Sequence, residues 1–195
     1  MQAQEEKQLQ IFITQLYPLP PAALSAFCSG WQPLTVKRKT VLTVAGETEK
    51  HLYFVVDGVQ RAFYLGEDHK EATVVFTYPP SFSGIADSFL TQTPSAYFLE
   101  TLTASRLLRI NYDTITQLSQ QYTSIRDMLL QTTAHVLKGV LARQVELQCY
   151  SNEEKFTTLL RRSPQLLQLV PHKYIASYLG IDATNFSKLY SSVKI

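Results

Sequence analysis

VPHKYIASYLGIDATNFSKLY, from Val170 to Tyr190, places its apolar residues where two short crossed helices need them. Ile175, Leu179, Ile181, Phe186 and Leu189 form one shared seam, and Ala176 is small where the two axes approach most closely. Gly180 falls at the tight turn, where a positive φ is wanted and a Cβ carries a steric cost. Asp182 stands in the N-cap position of the second helix. This spacing predicts a helix-turn-helix whose second helix, about Ala183 to Ser192, is presented to a DNA major groove. An ordinary packed helical hairpin is the alternative.

Upstream, Ser151-Asn152-Glu153-Glu154 has the form of a capping box, with Ser151 as N-cap and Glu154 as the third helical residue. Phe156, Leu159 and Leu160 give that helix its apolar stripe, and Ser163-Pro164 end it. A domain boundary is expected near Tyr150, dividing the chain into residues 1–149 and 150–195. Between Asp113 and Gln148 the apolar residues recur at threes and fours: Ile115, Leu118, Ile125, Met128, Leu129, Val136, Leu137, Val140, Leu141 and Val145. The part from Thr123 to Gln148 would be about 39 Å long, more than covering a small barrel requires. Apolar residues on more than one of its sides predict packing both on its own domain and on a partner copy. A helix lying on one domain only is the alternative.

From Trp31 to Ile110 the pattern changes to short runs divided by turns. Leu34–Lys37, Thr40–Val44, His51–Val56, Val59–Leu65, Ala72–Tyr78, Tyr97–Thr103 and Arg106–Ile110 read as strands, rich in β-branched and aromatic residues. Ala45-Gly46-Glu47, Asp57-Gly58 and Gly66-Glu67-Asp68 mark turns between them. Short, evenly spaced strands suggest a small antiparallel barrel or jelly roll. The segment Tyr78 to Ala96, with Pro79-Pro80, Gly84 and a short helical stretch from Ile85 to Leu90, interrupts the wall where a ligand loop could sit. Before the strands come two helices, residues 4–17 with Leu9, Phe12, Ile13 and Leu16 in helical rhythm, and about Pro21 to Cys28 with proline in its first turn. The expected class is therefore α+β: an N-terminal antiparallel β-barrel or jelly roll with flanking helices, a long dimerisation helix at about 123–148, and a C-terminal all-α helix-turn-helix domain.

Composition bounds the function. The 195 residues are 45% hydrophobic and 17% charged, which excludes a disordered chain. Net charge is only +2, but residues 150–195 carry six basic and three acidic side chains, so the positive excess sits at that end. Cys28 and Cys149 lie far apart, and His51, His69, His135 and His172 show no metal-ligand spacing, so no metal site, disulfide framework or iron–sulfur cluster is expected. The opening residues, MQAQEEKQLQIF, are polar and acidic, unlike a signal peptide, and no apolar run approaches membrane-spanning length. A soluble, cytoplasmic protein without a membrane partner is expected.

Barrel, long helix and helix-turn-helix, in that order, resemble the CRP/FNR family of bacterial transcription regulators. The resemblance rests on HLYFVVDGVQRAFYL, the Pro79-to-Ala86 loop, TLTASRLLRI and the terminal cassette, and covers nearly the whole chain. It implies a cyclic nucleotide or another signal bound inside the barrel, and a homodimer formed by pairing of the long helices. It also implies double-stranded DNA as partner, contact with RNA polymerase, and a two-state switch in the spacing of the DNA-binding heads. The β-hairpin wing that usually follows the recognition helix is expected to be missing, as in a truncated sub-class.

In cyclic-AMP-binding members a Phe-x-Gly-Glu stretch holds the ribose, and an Arg-Ser/Thr-Ala stretch pairs with the cyclic phosphate. Here the first reads Phe82-Ser83-Gly84-Ile85 and the second Ser95-Ala96-Tyr97. Ile85 stands in place of the Glu and Ser95 in place of the Arg, and a buried phosphate without its cation is costly. The pocket is therefore expected to be degenerate and not to bind cyclic AMP in the usual way. Arg61 and Asp87 are the candidates to substitute. No cofactor is expected; an apolar or neutral effector is left open.

On the second helix Ala183, Thr184, Asn185, Ser187, Lys188 and Ser191 lie away from the seam. Asn185 has the donor–acceptor pair that reads adenine, Lys188 can reach guanine or phosphate, and Thr184 and Ser187 can bond bases or phosphates. The resemblance places an Arg-Glu-x-x-x-Arg reading pattern at Ala183, Thr184 and Lys188; the departure leaves the base preference unpredictable and lowers the expected affinity. Lys173, His172, Arg161, Arg162 and Lys194 are expected to supply phosphate contacts. Two rival classes remain: a sensor or adaptor that has lost DNA binding and acts through its barrel or dimer helix, and a cupin-type barrel enzyme. The enzyme would need a His and carboxylate cluster, and His51 alone among strand residues does not make one.

Overall fold

The computed structural model describes residues 3–192. Two helices, α1 (Ala3–Leu16) and α2 (Pro21–Ser29), precede the strands. Pro21 opens α2, where its missing N–H costs no helical bond. Eight strands follow: β1 (Gln32–Val36), β2 (Val41–Thr43), β3 (His51–Asp57), β4 (Gln60–Leu65), β5 (Glu71–Thr77), β6 (Ser81–Ser83), β7 (Phe98–Thr101) and β8 (Ser105–Asn111). They form two four-stranded sheets, in the orders β1-β8-β3-β6 and β2-β7-β4-β5, with antiparallel pairs throughout. This is the expected jelly-roll class.

Seven of the strands coincide with the expected runs to within a few residues. The eighth, β6, falls inside the segment expected to interrupt the wall. Ser81–Ser83 is too short and too polar to show a period, and its pairing comes from β3, where Tyr53 faces Ser83 and Val55 faces Ser81. A short helix, α3 (Ala86–Thr91), follows it.

The outer face of β3 and β8 is covered by helices. Phe54, Leu108 and Ile110 pack with Leu9, Ile13, Phe27, Ile115, Ile125 and Met128 in one buried cluster. The last of these belong to α4 (Tyr112–Gln121) and α5 (Thr123–Cys149). Ile125 and Met128 are fully buried, each contributing about 1.5–3 kcal/mol, so the first turns of α5 are fixed to their own barrel. Beyond them α5 emerges bare. Leu130, Leu137 and Leu141 are 71%, 57% and 59% exposed, and Val136, Val140 and Val145 are also exposed.

The C-terminal helices are α6 (Asn152–Arg162), α7 (Leu166–Leu169), α8 (His172–Leu179) and α9 (Ala183–Ser192). Both halves of the Ser151–Glu154 capping box are formed. The four-residue α7 lies just after Pro164, too short for any periodicity to reveal. These helices do not stand apart from the barrel. Val59, Phe76 and Leu102 of the barrel share one buried cluster with Phe156, Leu159, Leu167, Ile175, Leu179 and Phe186.

Candidate functional site

The turn between α8 and α9 is built as its sequence requires. Gly180 has φ +65°, and the Ile181 N–H donates to the Ala176 carbonyl at 3.0 Å, closing the C-terminus of α8. Asp182 caps α9, accepting from the Asn185 N–H at 2.9 Å; that bond holds its exposed carboxyl below the usual carboxylate range. Ile175, Ala176, Leu179, Ile181 and Phe186 are buried, and Leu189 is half-buried beside them.

The outward face of α9 carries Ala183, Thr184, Asn185, Ser187, Lys188 and Ser191, all exposed. The Asn185 side chain also donates its amide to Asp182 and must release it to reach a base. His172 is exposed but leans on the Tyr190 ring, with centroids 4.3 Å apart. Lys173 sits over the Tyr174 ring at 4.7 Å, and its charge adds slightly to the hydrogen bonding from Arg61 that holds the Glu71 carboxyl below the usual range. Arg161 and Arg162 are both exposed, and Arg162 also donates to Glu146 at 3.2 Å. Lys194 lies outside the described residues.

Two polar assemblies, neither foreseen in the sequence, fix this head. Glu146, buried near the end of α5, accepts from Arg143 at 2.6 Å and from Arg162 of α6. Arg143 also donates to the Tyr178 carbonyl of α8 and lies 4.2 Å over the Tyr178 ring. On the barrel side, the Thr73 N–H of edge strand β5 donates to Ser177 Oγ at 2.9 Å. Arg61 is 2% exposed, forks onto Glu71 at 2.6 and 2.9 Å, donates to Glu100 at 2.6 Å, and stacks 3.6 Å from the Tyr174 ring centroid. Burial works against its charge, and the two carboxylates together outweigh that burial.

Arg61 therefore does not face the barrel interior and is not a substitute cation for a pocket. None of the remaining pocket candidates is a cation. Ser83 Oγ accepts from Thr77 at 2.8 Å, in a chain that continues to Gln60 and Ser105. Gly84 has φ +140°, and a Cβ there would meet the His51 carbonyl at 3.3 Å. Ile85 is buried with Tyr53, Val55, Ala62, Leu99 and Leu107 in one apolar cluster between the sheets. Ser95 Oγ exchanges hydrogen bonds with the backbone of Tyr97, while Asp87 and Ala96 are exposed.

The barrel interior holds one ionisable group that the sequence reading missed. Glu49, 2% exposed, accepts from the Thr43 hydroxyl, from the His51 N–H at 3.1 Å and from the Ile85 N–H at 3.4 Å. Burial raises its carboxyl above the usual range, and these donors partly offset the rise. Tyr53 is pushed up by its own burial and then by Glu49. In sequence Glu49 lies in Gly46-Glu47-Thr48-Glu49-Lys50, a polar run that reads as a solvated turn.

No group of three or more His, Cys, Asp or Glu able to hold a metal occurs among the described residues. No described helix is long and apolar enough to cross a membrane.

Residues 33–122 match the cyclic nucleotide-binding domain. Solved structures share the fold over most of the chain. FixK2 from Bradyrhizobium japonicum is 15% identical, with TM-score 0.72 and 83% of each chain covered. A protein named as a transcriptional regulator of the CRP/FNR family from Eubacterium rectale is 14% identical, with TM-score 0.68, covering 91% of this chain and 86% of that one. The c-di-GMP-responsive global regulator CLP from Xanthomonas campestris is 16% identical, with TM-score 0.66, covering 88% and 90%. No curated protein matches the chain. At these identities the likeness is one of fold.

Proposed function

We propose that this chain, which joins a cyclic nucleotide-binding domain to the helical head of the CRP/FNR regulator fold, is a homodimeric, DNA-binding transcription regulator. Its sensor part spans residues 1–149 and its head residues 150–195, and it works by binding, with no chemistry. The observation that carries the reading is the α8–Gly180–α9 geometry, which leaves Thr184, Asn185, Ser187 and Lys188 together on one exposed face. Double-stranded DNA is the partner that face suits, with Lys173 and His172 at its edge. Contact with RNA polymerase belongs to the same proposal.

Dimerisation is supported by the bare apolar side of α5. Leu130, Leu137, Leu141 and Val145 fall on one side of the helix, with Val136 and Val140 beside them, all exposed. The barrel and head lie against other sides, through Ile125, Met128 and Glu146. An exposed apolar face of this length is what a second copy of the same helix would cover.

The purified protein, selected against random duplex DNA without added ligand, is expected to enrich a palindrome. Asn185→Ala with Lys188→Ala is expected to flatten that selectivity, each base contact being worth about 1–3 kcal/mol, and to reduce the salt slope by about one through the lysine. Selectivity that survives both changes would remove α9 as the reading helix. No enrichment at all would favour a sensor or adaptor acting through its barrel or dimer helix.

The barrel is not expected to bind cyclic AMP. Its interior is packed with Tyr53, Ile85, Leu99 and Leu107, and Arg61, buried beside it, is paired with Glu71 and Glu100. A ligand at a hundred times its Kd would add about 2.7 kcal/mol and raise the melting temperature by several degrees. Cyclic AMP is expected to leave it unchanged; a saturable rise would overturn the degenerate-pocket reading.

A further inference from the structure

We infer that the side chain of Glu49 is a built-in ligand: its carboxylate fills, from within the chain, a buried site suited to a small oxyanion. The site has three donors on three separate elements. The Thr43 hydroxyl ends β2, the His51 N–H opens β3, and the Ile85 N–H lies between β6 and α3. The first and third converge on one carboxylate oxygen and the second on the other. Glu49 belongs to no strand and reaches the site from the loop before β3.

The donors are all neutral. Glu49 has no ion-pair partner among the described residues, although it is almost wholly buried. A buried carboxylate held by hydroxyl and backbone N–H groups alone has the donor set of an anion-binding concavity, not of a salt bridge. The loop is fastened from the other side as well: the Glu49 N–H donates to Ser88 Oγ of α3 at 2.9 Å, and Ser88 Oγ donates to the Thr93 carbonyl at 2.6 Å. The tethered carboxylate thus joins β2, β3 and the Ile85 turn in the way a diffusible anion would, and the barrel is complete without one. The inference concerns the barrel alone, and DNA binding by the head stands or falls separately.

Chemical rescue in the full chain tests it. Glu49→Ala removes a fragment the size of acetate and leaves the three donors in place. The variant is expected to melt below the unaltered protein and to recover at least half of the loss, saturably, in sodium acetate but not in sodium chloride of equal ionic strength. Thr43→Val added to it should weaken the rescue, and Glu49→Gln, which keeps the site filled, should show none. The unaltered protein should gain no more from acetate than from chloride. Equal responses of a folded Glu49→Ala to acetate and chloride would overturn the inference, as would an acetate response in the unaltered protein as large as the variant's. If Glu49→Ala does not fold in chloride, refolding from urea replaces melting as the readout. Recovery in acetate alone then supports the site, and failure in both salts while Glu49→Gln refolds overturns it.

Discussion

Arg61→Ala is expected to lower stability by about 3 kcal/mol, toward the lower end of the 3–5 kcal/mol range for breaking a buried ion pair, because Glu71 is partly open to water. For a chain of this length that is a fall of roughly 6–12 °C in melting temperature. The guanidinium holds Glu71 and Glu100 by three hydrogen bonds and stacks between Phe63, at 4.1 Å, and Tyr174, at 3.6 Å. Its removal leaves Glu100 poorly solvated and takes the platform from under α8. The loss should therefore appear first as protease sensitivity in residues 150–192, ahead of the barrel. Arg61→Lys should recover little, since an ammonium cannot fork onto one carboxylate and reach a second. Acid should weaken the same junction. Hydrogen bonding to Arg61 holds Glu71 below the usual carboxylate range. That contribution is present above the ordinary carboxylate pKa and is lost as pH falls through the depressed one. Thermal melts between neutral and acid pH should thus converge for Arg61→Ala and the unaltered protein. Parallel curves would deny the cluster its role.

Leu137→Glu combined with Leu141→Glu is expected to convert a dimer into monomers and to weaken DNA binding at least 100-fold, since one head would then engage a half-site alone. Both leucines are more than half exposed in the single chain, so the change should leave the barrel's fold intact. Two charges facing their own copies across a two-fold axis would be desolvated without partners. Analytical ultracentrifugation reads the assembly and circular dichroism the fold. A dimer that persists would take α5 out of the interface. Met128→Glu makes the contrasting control. Met128 has no exposed surface and packs with Phe54, Leu108 and Ile125, so a charge there should unfold the barrel, not merely separate the copies.

Met128 also shows where sequence periodicity stops being informative. Along α5, Met128 and Val136 look alike: apolar residues in one helical rhythm. One is buried against the barrel and the other is exposed, because the helix leaves the barrel between them. The two helices on either side of Gly180 were legible to the residue, since the positive φ at Gly180, the cap at Asp182 and the seam through Phe186 are all local. Most strands were legible from β-branched and aromatic runs. What stayed hidden depends on distant partners. Arg61 looked like a free cation because Glu71 and Glu100 meet it only once β4 lies between β5 and β7. Glu49 drew no attention because its donors come from β2, β3 and the Ile85 turn. Strand β6 and helix α7 were too short to carry a pattern.

The brace at Glu146 leaves the end of α5 without a swivel. With Arg143 and Arg162 drawn onto one carboxylate and Tyr178 held from beneath, helix and head turn as one piece. In a two-fold pair the angular phase between the two reading helices would then be written at folding. Such a pair would tolerate a changed base within a half-site far better than a changed spacer. Five added base pairs would carry the second half-site about half a turn around the duplex, to a side the second head cannot face.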